Sequence, residues 1–176
     1  MDSEDLVILL DDDGRPRETA PREESHHRST PLHLAFSCYA FDDDGHVLLT
    51  RRALSKRAWP GVWTNSWCGH PRPGEELESA VRRRAGDELG LQADGIRMAV
   101  ADFRYRAVDD SGIVENEVCP VFTATVGTDP APNPGEVVWW RWEPWSGVVD
   151  LVRLAPWSVS PWMALQVPLL DAELRS

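Results

Sequence analysis

The chain has 176 residues, enough for one domain with a sizeable core. Its 42% hydrophobic and 27% charged residues are the balance of an ordinary globular protein. A net charge of −11 excludes nucleic acid as the main partner, because a phosphate backbone demands a basic surface, but leaves room for a small anion in a local cationic pocket.

Leu6 to Leu10 reads as a short strand ended by Asp11-Asp12-Asp13-Gly14. With the acidic start Met1-Asp2-Ser3-Glu4-Asp5 it is too short for a signal peptide, and no apolar run approaches the roughly 18 residues that cross a bilayer. A cytoplasmic protein without a membrane partner is expected. Pro16 to Thr30 is polar and charged, and predicts a loop or short helix. Leu32 to Phe41 and Val47 to Arg51 predict two strands joined at Asp42-Asp43-Asp44-Gly45. Pro60-Gly61 and Pro73-Gly74 punctuate the middle. A helix is predicted over Glu75 to Leu89, where Leu77, Val81, Ala85 and Leu89 recur every four residues and Gly90 stops the run. Ile96 to Val108 and Ile113 to Val126 predict strands around Asp109-Asp110-Ser111-Gly112. Asp129 to Gly135, with three prolines, is a loop, Val137 to Trp142 a strand, and Ser160 to Leu174 a helix. Strands on both sides of a helix predict an α/β fold with a mixed sheet, in a single domain over residues 1–176.

Cys38, Cys68 and Cys119 are widely spaced and form no CxxC pair, so neither a zinc knuckle nor a disulfide framework is suggested. Cys38 and Cys119 read as inert buried thiols. Cys68 differs. It lies in Trp59-Pro60-Gly61-Val62-Trp63-Thr64-Asn65-Ser66-Trp67-Cys68-Gly69-His70, two residues from an imidazole. Downstream, Glu115-Asn116-Glu117 sets two carboxylates at i, i+2, on one face of an extended strand. A thiol, histidines and paired carboxylates are the material of a metal site beside an acid–base pair. His46, in a turn, reads as a solvated residue. Most of Trp139, Trp140, Trp142, Trp145 and Trp157 read as core or interface.

Along the helix, Gly69, Glu75, Arg83, Glu88 and Gly90-Leu91 follow a pattern that resembles the Nudix box, a loop–helix element that binds metal and diphosphate. Arg84 and Asp87 replace glutamates that Nudix hydrolases carry there. The plainer reading is an amphipathic surface helix with Glu–Arg pairs at i, i+4.

Longer motifs point further. Pro31-Leu32-His33-Leu34-Ala35-Phe36-Ser37, Thr50-Arg51-Arg52-Ala53-Leu54-Ser55-Lys56, the Trp59-to-Pro71 run, Tyr105-Arg106, Gly112-Ile113-Val114-Glu115-Asn116-Glu117-Val118-Cys119-Pro120 and Ser160-Pro161-Trp162-Met163 closely resemble type I isopentenyl diphosphate isomerases. The likeness runs from about His26 to Met163. It implies a Nudix-like α/β/α sandwich and the interconversion of isopentenyl and dimethylallyl diphosphate, a small-molecule substrate, by a monomer or weak dimer. It implies Cys68 and Glu117 as acid–base pair, Tyr105 beside the carboxylate, and Trp162 facing the alkene. An indole face attracts the carbocation that protonation creates. It further implies a metal site from His26, His33, His70, Glu115 and Glu117, suited to Zn²⁺ or Mn²⁺, with the family spacing favouring His26 over His27 as first ligand. Arg22, Arg52, Lys56 and Arg84 would bind the diphosphate, with Mg²⁺ bridging it to Glu88. Lys56 is the only lysine in the chain; Arg51 and Arg57 read as surface charges. Trp67 should point away from Cys68 and alter packing rather than chemistry.

Three rivals remain. A Nudix pyrophosphohydrolase is opposed by Arg84 and Asp87. A thiol hydrolase lacks a third group to orient His70. A metal-binding interaction module gives Cys68 and Glu117 no reason to be paired.

Overall fold

A computed structural model describes residues 6–176; the acidic start at residues 1–5 lies outside it. Two sheets organise the chain. The smaller takes β1 (Leu6–Leu10), β2 (Pro16–Pro21), β3 (His33–Leu34), β9 (Arg104–Val108) and β10 (Val114–Val118), in the order β2-β1-β3-β10-β9. The larger takes β4 (Phe36–Phe41), β5 (His46–Arg52), β8 (Asp94–Val100), β11 (Val121–Thr125) and β12 (Val137–Pro144), in the order β12-β5-β4-β11-β8. Two short strands complete it, β6 (Trp63–Thr64) on β5 and β7 (Trp67–Gly69) on β4. Each sheet contains a parallel pair, β3 with β10 and β4 with β11, among antiparallel neighbours.

Three stretches expected to be single strands are each two. The run from Leu32 to Phe41 changes sheet at Ala35, that from Ile113 to Val126 at Cys119-Pro120, and that from Ile96 to Val108 between Val100 and Arg104. The three breaks lie side by side. Ala35 N–H donates to Val118 O (2.9 Å), Ser37 N–H to Pro120 O (3.1 Å) and Cys119 N–H to Phe103 O (2.8 Å). A run of apolar residues cannot reveal such a change of sheet, because both halves keep strand chemistry. The crossing positions the site: side chains of both sheets converge there.

The larger sheet is covered on both faces, which is why β4 is almost continuously buried. Phe36, Cys38 and Ala40 face α2 (Leu77–Leu89) in a core with Leu48, Trp67, Val81, Ala85, Leu89 and Phe122. Ala35 and Tyr39 face the other way, against α3 (Trp145–Leu154) and α4 (Pro161–Leu174), with Val148, Val152, Met163, Val167 and Leu170. The layers are therefore helix, sheet, helix. Trp67 is buried under α2 and its indole N–H donates to Val81 O (3.1 Å), away from Cys68's partners.

At the end of α2, Gly90 takes φ +63°, a left-handed cap that suits glycine. The proline-rich loop covers that end: Ala131 N–H and Asn133 N–H donate to the carbonyls of Leu89 and Glu88, both at 2.8 Å. At Gly69 a Cβ would stand 2.8 Å from Arg84 Cγ and 3.0 Å from Phe36 Cζ, so only glycine lets β7 pass beneath the helix.

Other expectations need correcting. Pro16 to Thr30 contains a short helix as expected, α1 (Arg22–Ser25), but it begins with a strand that was not: β2 pairs with β1 as a polar edge strand, with proline at each end. α3 was not expected, although Val148 and Val152 lie one turn apart and are buried. The expectation that most of the five downstream tryptophans are core or interface is met, since Trp140, Trp142 and Trp145 pack inward, while Trp139 and Trp157 are 65% and 81% exposed. His46 is partly exposed, as expected, and its Nδ1 lies 3.1 Å from Asp42 Oδ2.

Candidate active site

β10 supplies the paired carboxylates. Its register sets Glu117 opposite His33 on β3 and Tyr105 on β9. As a result the Tyr105 hydroxyl donates to Glu117 Oε2 (2.9 Å), and Glu117 Oε1 lies 3.4 Å from both His33 Nε2 and His70 Nε2. His26, at the end of α1, completes a triangle of imidazoles with centroids 5.1 to 5.4 Å apart. His27 is exposed, and its ring accepts from Ser29 N–H, so the ambiguity between the two falls to His26.

Ligand atoms of His26, His33, His70 and Glu117 all lie within 4.8 Å of one another. Glu115 stands beside this group, its Oε2 3.3 Å from His26 Nε2. The residues fit a metal on independent grounds. His26 Nδ1 and His33 Nδ1 each donate to a backbone carbonyl, of Arg22 and Pro31, at 3.0 Å. That fixes the tautomer that turns a bare Nε2 inward. His33 Nε2 and Glu115 Oε2 are buried with no hydrogen-bond partner, which is costly unless something charged fills the gap. Glu88 stands apart from the cluster, on α2.

Protonation states are pushed apart. Burial raises Glu117, but the imidazoles of His33 and His70 facing it outweigh burial and hold the carboxyl well below its usual range. Burial raises Glu115. Burial alone would depress His26 and His33, yet Glu115 pulls His26 and Glu117 pulls His33 above the ordinary imidazole value. His70 is lowered by burial to about 4. Burial and the facing carboxylates push Tyr105 well up, and burial raises Cys68 to about 11.

Cys68 sits on β7, across from Ser37 on β4. Its thiol donates to Asn65 Oδ1 (3.3 Å) and touches Ser37 Oγ (3.4 Å). Trp162 is in the first turn of α4, whose cap is the Ser160 hydroxyl accepting from Met163 N–H (3.3 Å). Its ring lies edge-to-face with Trp59 (5.5 Å) and tilted to Tyr105 (5.9 Å).

Cations gather at the other end. Arg84 donates to Glu88 Oε1 at 2.5 and 3.0 Å and lies 3.6 Å from Glu136, which is ion-paired with Lys56. Burial raises Glu88; at Glu136 the same tendency is outweighed by Lys56 and Arg84, which lower it. Arg52 donates to the carbonyls of Ala58 and Trp59, and its guanidinium carbon lies 5.5 Å from the Trp162 ring centroid.

Most of these groups line one cavity of about 470 Å³. Its wall contains every site residue expected from sequence except His33, which is fully buried behind it. Arg22 is among them; Arg51, by contrast, is exposed and bonds Gly61 O. Sequence reasoning missed Glu136, Asn65 and Ser37. Glu136 follows a proline-rich loop and carried no signal. Asn65 lay in plain view inside the Trp-rich run, where a small polar residue among aromatics was the only hint.

Residues 31–164 match the NUDIX domain family. A protein of Mycolicibacterium vanbaalenii called isopentenyl-diphosphate Delta-isomerase is 55% identical over 97% of this chain and 94% of its own length. One of the same name from Leifsonia xyli is 54% identical over 94% and 91%. The chain belongs to the isopentenyl-diphosphate Delta-isomerase family. Within the wider NUDIX fold it is similar to DR0079 of Deinococcus radiodurans (TM-score 0.71, 17% identity, 93% of this chain and 97% of that one). It is also similar to the MutT protein of Methanosarcina mazei (TM-score 0.64, 18% identity, 83% and 97%). At such identity these two speak for the fold alone. Membership of the isomerase family decides against the pyrophosphohydrolase alternative. It also accords with the box, where Arg84 stands in place of a carboxylate and Glu88 is held by that arginine. No helix among the described residues is long and apolar enough to cross a membrane.

Proposed function

We propose that this isomerase interconverts isopentenyl and dimethylallyl diphosphate by moving protons through Cys68 and Glu117. The observation that carries the reading is their convergence on one cavity, walled by Trp162 and cationic at its far end. Shifting the double bond adds a proton to the terminal methylene, leaving a tertiary cation. A proton then leaves the carbon nearer the diphosphate. Two carriers are needed, and in the reverse direction each takes the opposite role. Cys68, a protonated thiol, and Glu117, an ionised carboxylate bonded to Tyr105, differ enough to share that work. The Trp162 ring offers the cation a π face. Lys56, Arg84, Arg52 and Arg22 hold the diphosphate, and its arrival loosens the pairs to Glu136 and Glu88.

His26, His33, His70 and Glu117, with Glu115 behind them, would hold a divalent ion such as Zn²⁺ or Mn²⁺, whose charge would fix the orientation and proton affinity of Glu117. Glu88 would share Mg²⁺ with the diphosphate. We read the chain as a single domain, acting as a monomer or weak dimer in the cytoplasm; the acidic surface speaks against nucleic acid.

The test is turnover of isopentenyl diphosphate in deuterated water. Deuterium entering the dimethylallyl product without release of phosphate or pyrophosphate, and lost in Cys68→Ala and Glu117→Gln, is expected. Phosphate release from the wild type would overturn the reading, as would a Cys68→Ala variant that keeps most of its activity.

A further inference from the structure

The cavity wall does not explain Asn65. It is fully buried, in the link between β6 and β7, and its carboxamide has partners on both ends. The nitrogen donates to two backbone carbonyls, Cys38 O (3.0 Å) and Trp67 O (2.8 Å). Those acceptors can take only an N–H, so the direction of the amide is fixed and Oδ1 must point the other way. There it accepts from the Cys68 thiol (3.3 Å), the Trp162 indole N–H (3.0 Å) and the Thr64 hydroxyl (2.9 Å). An indole nitrogen can only donate, and beside an amide oxygen the thiol is the donor as well. One oxygen atom is thus bound to the proton carrier on β7 and to the aromatic face on α4, two elements far apart in sequence.

We infer that Asn65 is a positioning residue, whose carboxamide oxygen sets the Cys68 sulfur and the Trp162 ring at their working separation across the substrate. The inference rests on the proposed roles of Cys68 and Trp162. Asn65 reaches the reaction only through those two side chains. With the sulfur and the ring displaced by a fraction of an ångström the diphosphate is still held, since Lys56 and Arg84 lie elsewhere and Arg52, though 5.5 Å from the Trp162 ring, is fixed by the carbonyls of Ala58 and Trp59. The sulfur and the ring meet the alkene in poorer alignment, and alignment is where a large share of rate is lost. Asn65 therefore belongs to turnover and not to binding.

Two substitutions separate this role from a purely structural one. Asn65→Ala removes the oxygen and both N–H donors. Asn65→Asp keeps the oxygen; buried between two carbonyls, the carboxyl stays protonated and can donate to one of them. Each is assayed for kcat and KM with isopentenyl diphosphate, for inhibition by inorganic pyrophosphate and for thermal unfolding, beside wild type and Cys68→Ala. The expected result is a kcat reduced roughly a hundredfold in Asn65→Ala, with KM and pyrophosphate inhibition within about threefold of wild type. Asn65→Asp should keep kcat within about tenfold of wild type even where it melts earlier. The inference is overturned if the two variants lose turnover equally, if their loss follows melting temperature, or if it lies in KM. An active Cys68→Ala would sink the proposed roles themselves. An inactive Cys68→Ala beside a fully active Asn65→Ala would sink this inference alone.

Discussion

The histidine cluster predicts a measurable change in stability on metal binding, apart from any effect on activity. Four ligand atoms lie within 4.8 Å of one another, and one of them, His33 Nε2, together with the neighbouring Glu115 Oε2, is buried with no hydrogen-bond partner. The folded chain therefore holds a preformed site that the unfolded chain lacks. A ligand that binds only the folded state stabilises it by about 2.7 kcal/mol at a hundredfold excess over its Kd. For a chain of this size each kcal/mol raises the melting temperature by roughly 2–4 °C. Added Zn²⁺ or Mn²⁺ should thus raise the melting point of chelator-treated protein by roughly 5–11 °C. Mg²⁺ alone should do much less, because imidazoles are poor ligands for it. His26→Ala removes one ligand from the partly buried rim, where it disturbs packing less than at the fully buried His33, and should cut the increment by more than half. Differential scanning fluorimetry with and without metal reads this within each variant, so differences in starting stability cancel. A wild type that melts at one temperature with and without either ion would refute the site. So would a His26→Ala variant with an undiminished increment.

Trp67→Ala should cost about 3–5 kcal/mol in denaturant unfolding, because it empties the space beneath α2 and leaves Val81 O without its indole partner; a loss under 1 kcal/mol would contradict that packing. Cys38→Ala and Cys119→Ala should keep near-normal turnover, since both thiols are buried in the core. Glu136 has a carboxyl lowered in the fold, so it adds stability that is fully present above the ordinary carboxylate range and is lost as pH falls from there through its lowered value. Glu136→Gln should accordingly flatten the acid side of a stability-versus-pH curve, and an unchanged curve would mean the Lys56 pair contributes nothing. Trp162→Phe should keep partial turnover and Trp162→Leu far less, with little change in KM; equal turnover in the two would remove the cation–π role.

What could be read from the sequence, and what could not, divides by the range of the interaction. The helix over residues 75–89 is set by a four-residue repeat and a glycine stop, both local, and the structure places it at Leu77–Leu89. The three strands that change sheet escaped because the change is a long-range event. Ala35, Cys119-Pro120 and the segment after Val100 bend together only because they are neighbours in space. β2 escaped for a different reason: an edge strand facing water has no alternation to detect. At the site, residues with distinctive chemistry could be named, and the structure brings them around one cavity. Asn65, Ser37 and Glu136 are common polar residues whose importance is a matter of what they touch. Only the folded chain shows that Asn65 Oδ1 meets both Cys68 and Trp162.

The charges of α2 show how one NUDIX framework can carry a reaction other than hydrolysis. Hydrolysis on this helix would need carboxylates free to hold metal near an attacking water. Here Glu75 is bound by Arg83 through both oxygens, at 2.7 and 2.8 Å, and Glu88 by Arg84. Asp87, half-exposed, has only a long contact of 3.5 Å to Arg83. The arginines turn an acidic face into one able to meet an anion. The imidazole-rich cluster has meanwhile been assembled around Glu117 of the smaller sheet, away from the cations that the proposed reading assigns to the diphosphate. Separation of the two is what proton transfer to carbon asks for. In the proposed reaction the phosphorus is gripped and left alone, while the carboxylate that moves the proton lies at the hydrocarbon end. Restoring a glutamate at Arg84 would remove a cation from the diphosphate and place two carboxylates one turn apart. Arg84→Glu should therefore weaken substrate binding before it creates any hydrolase.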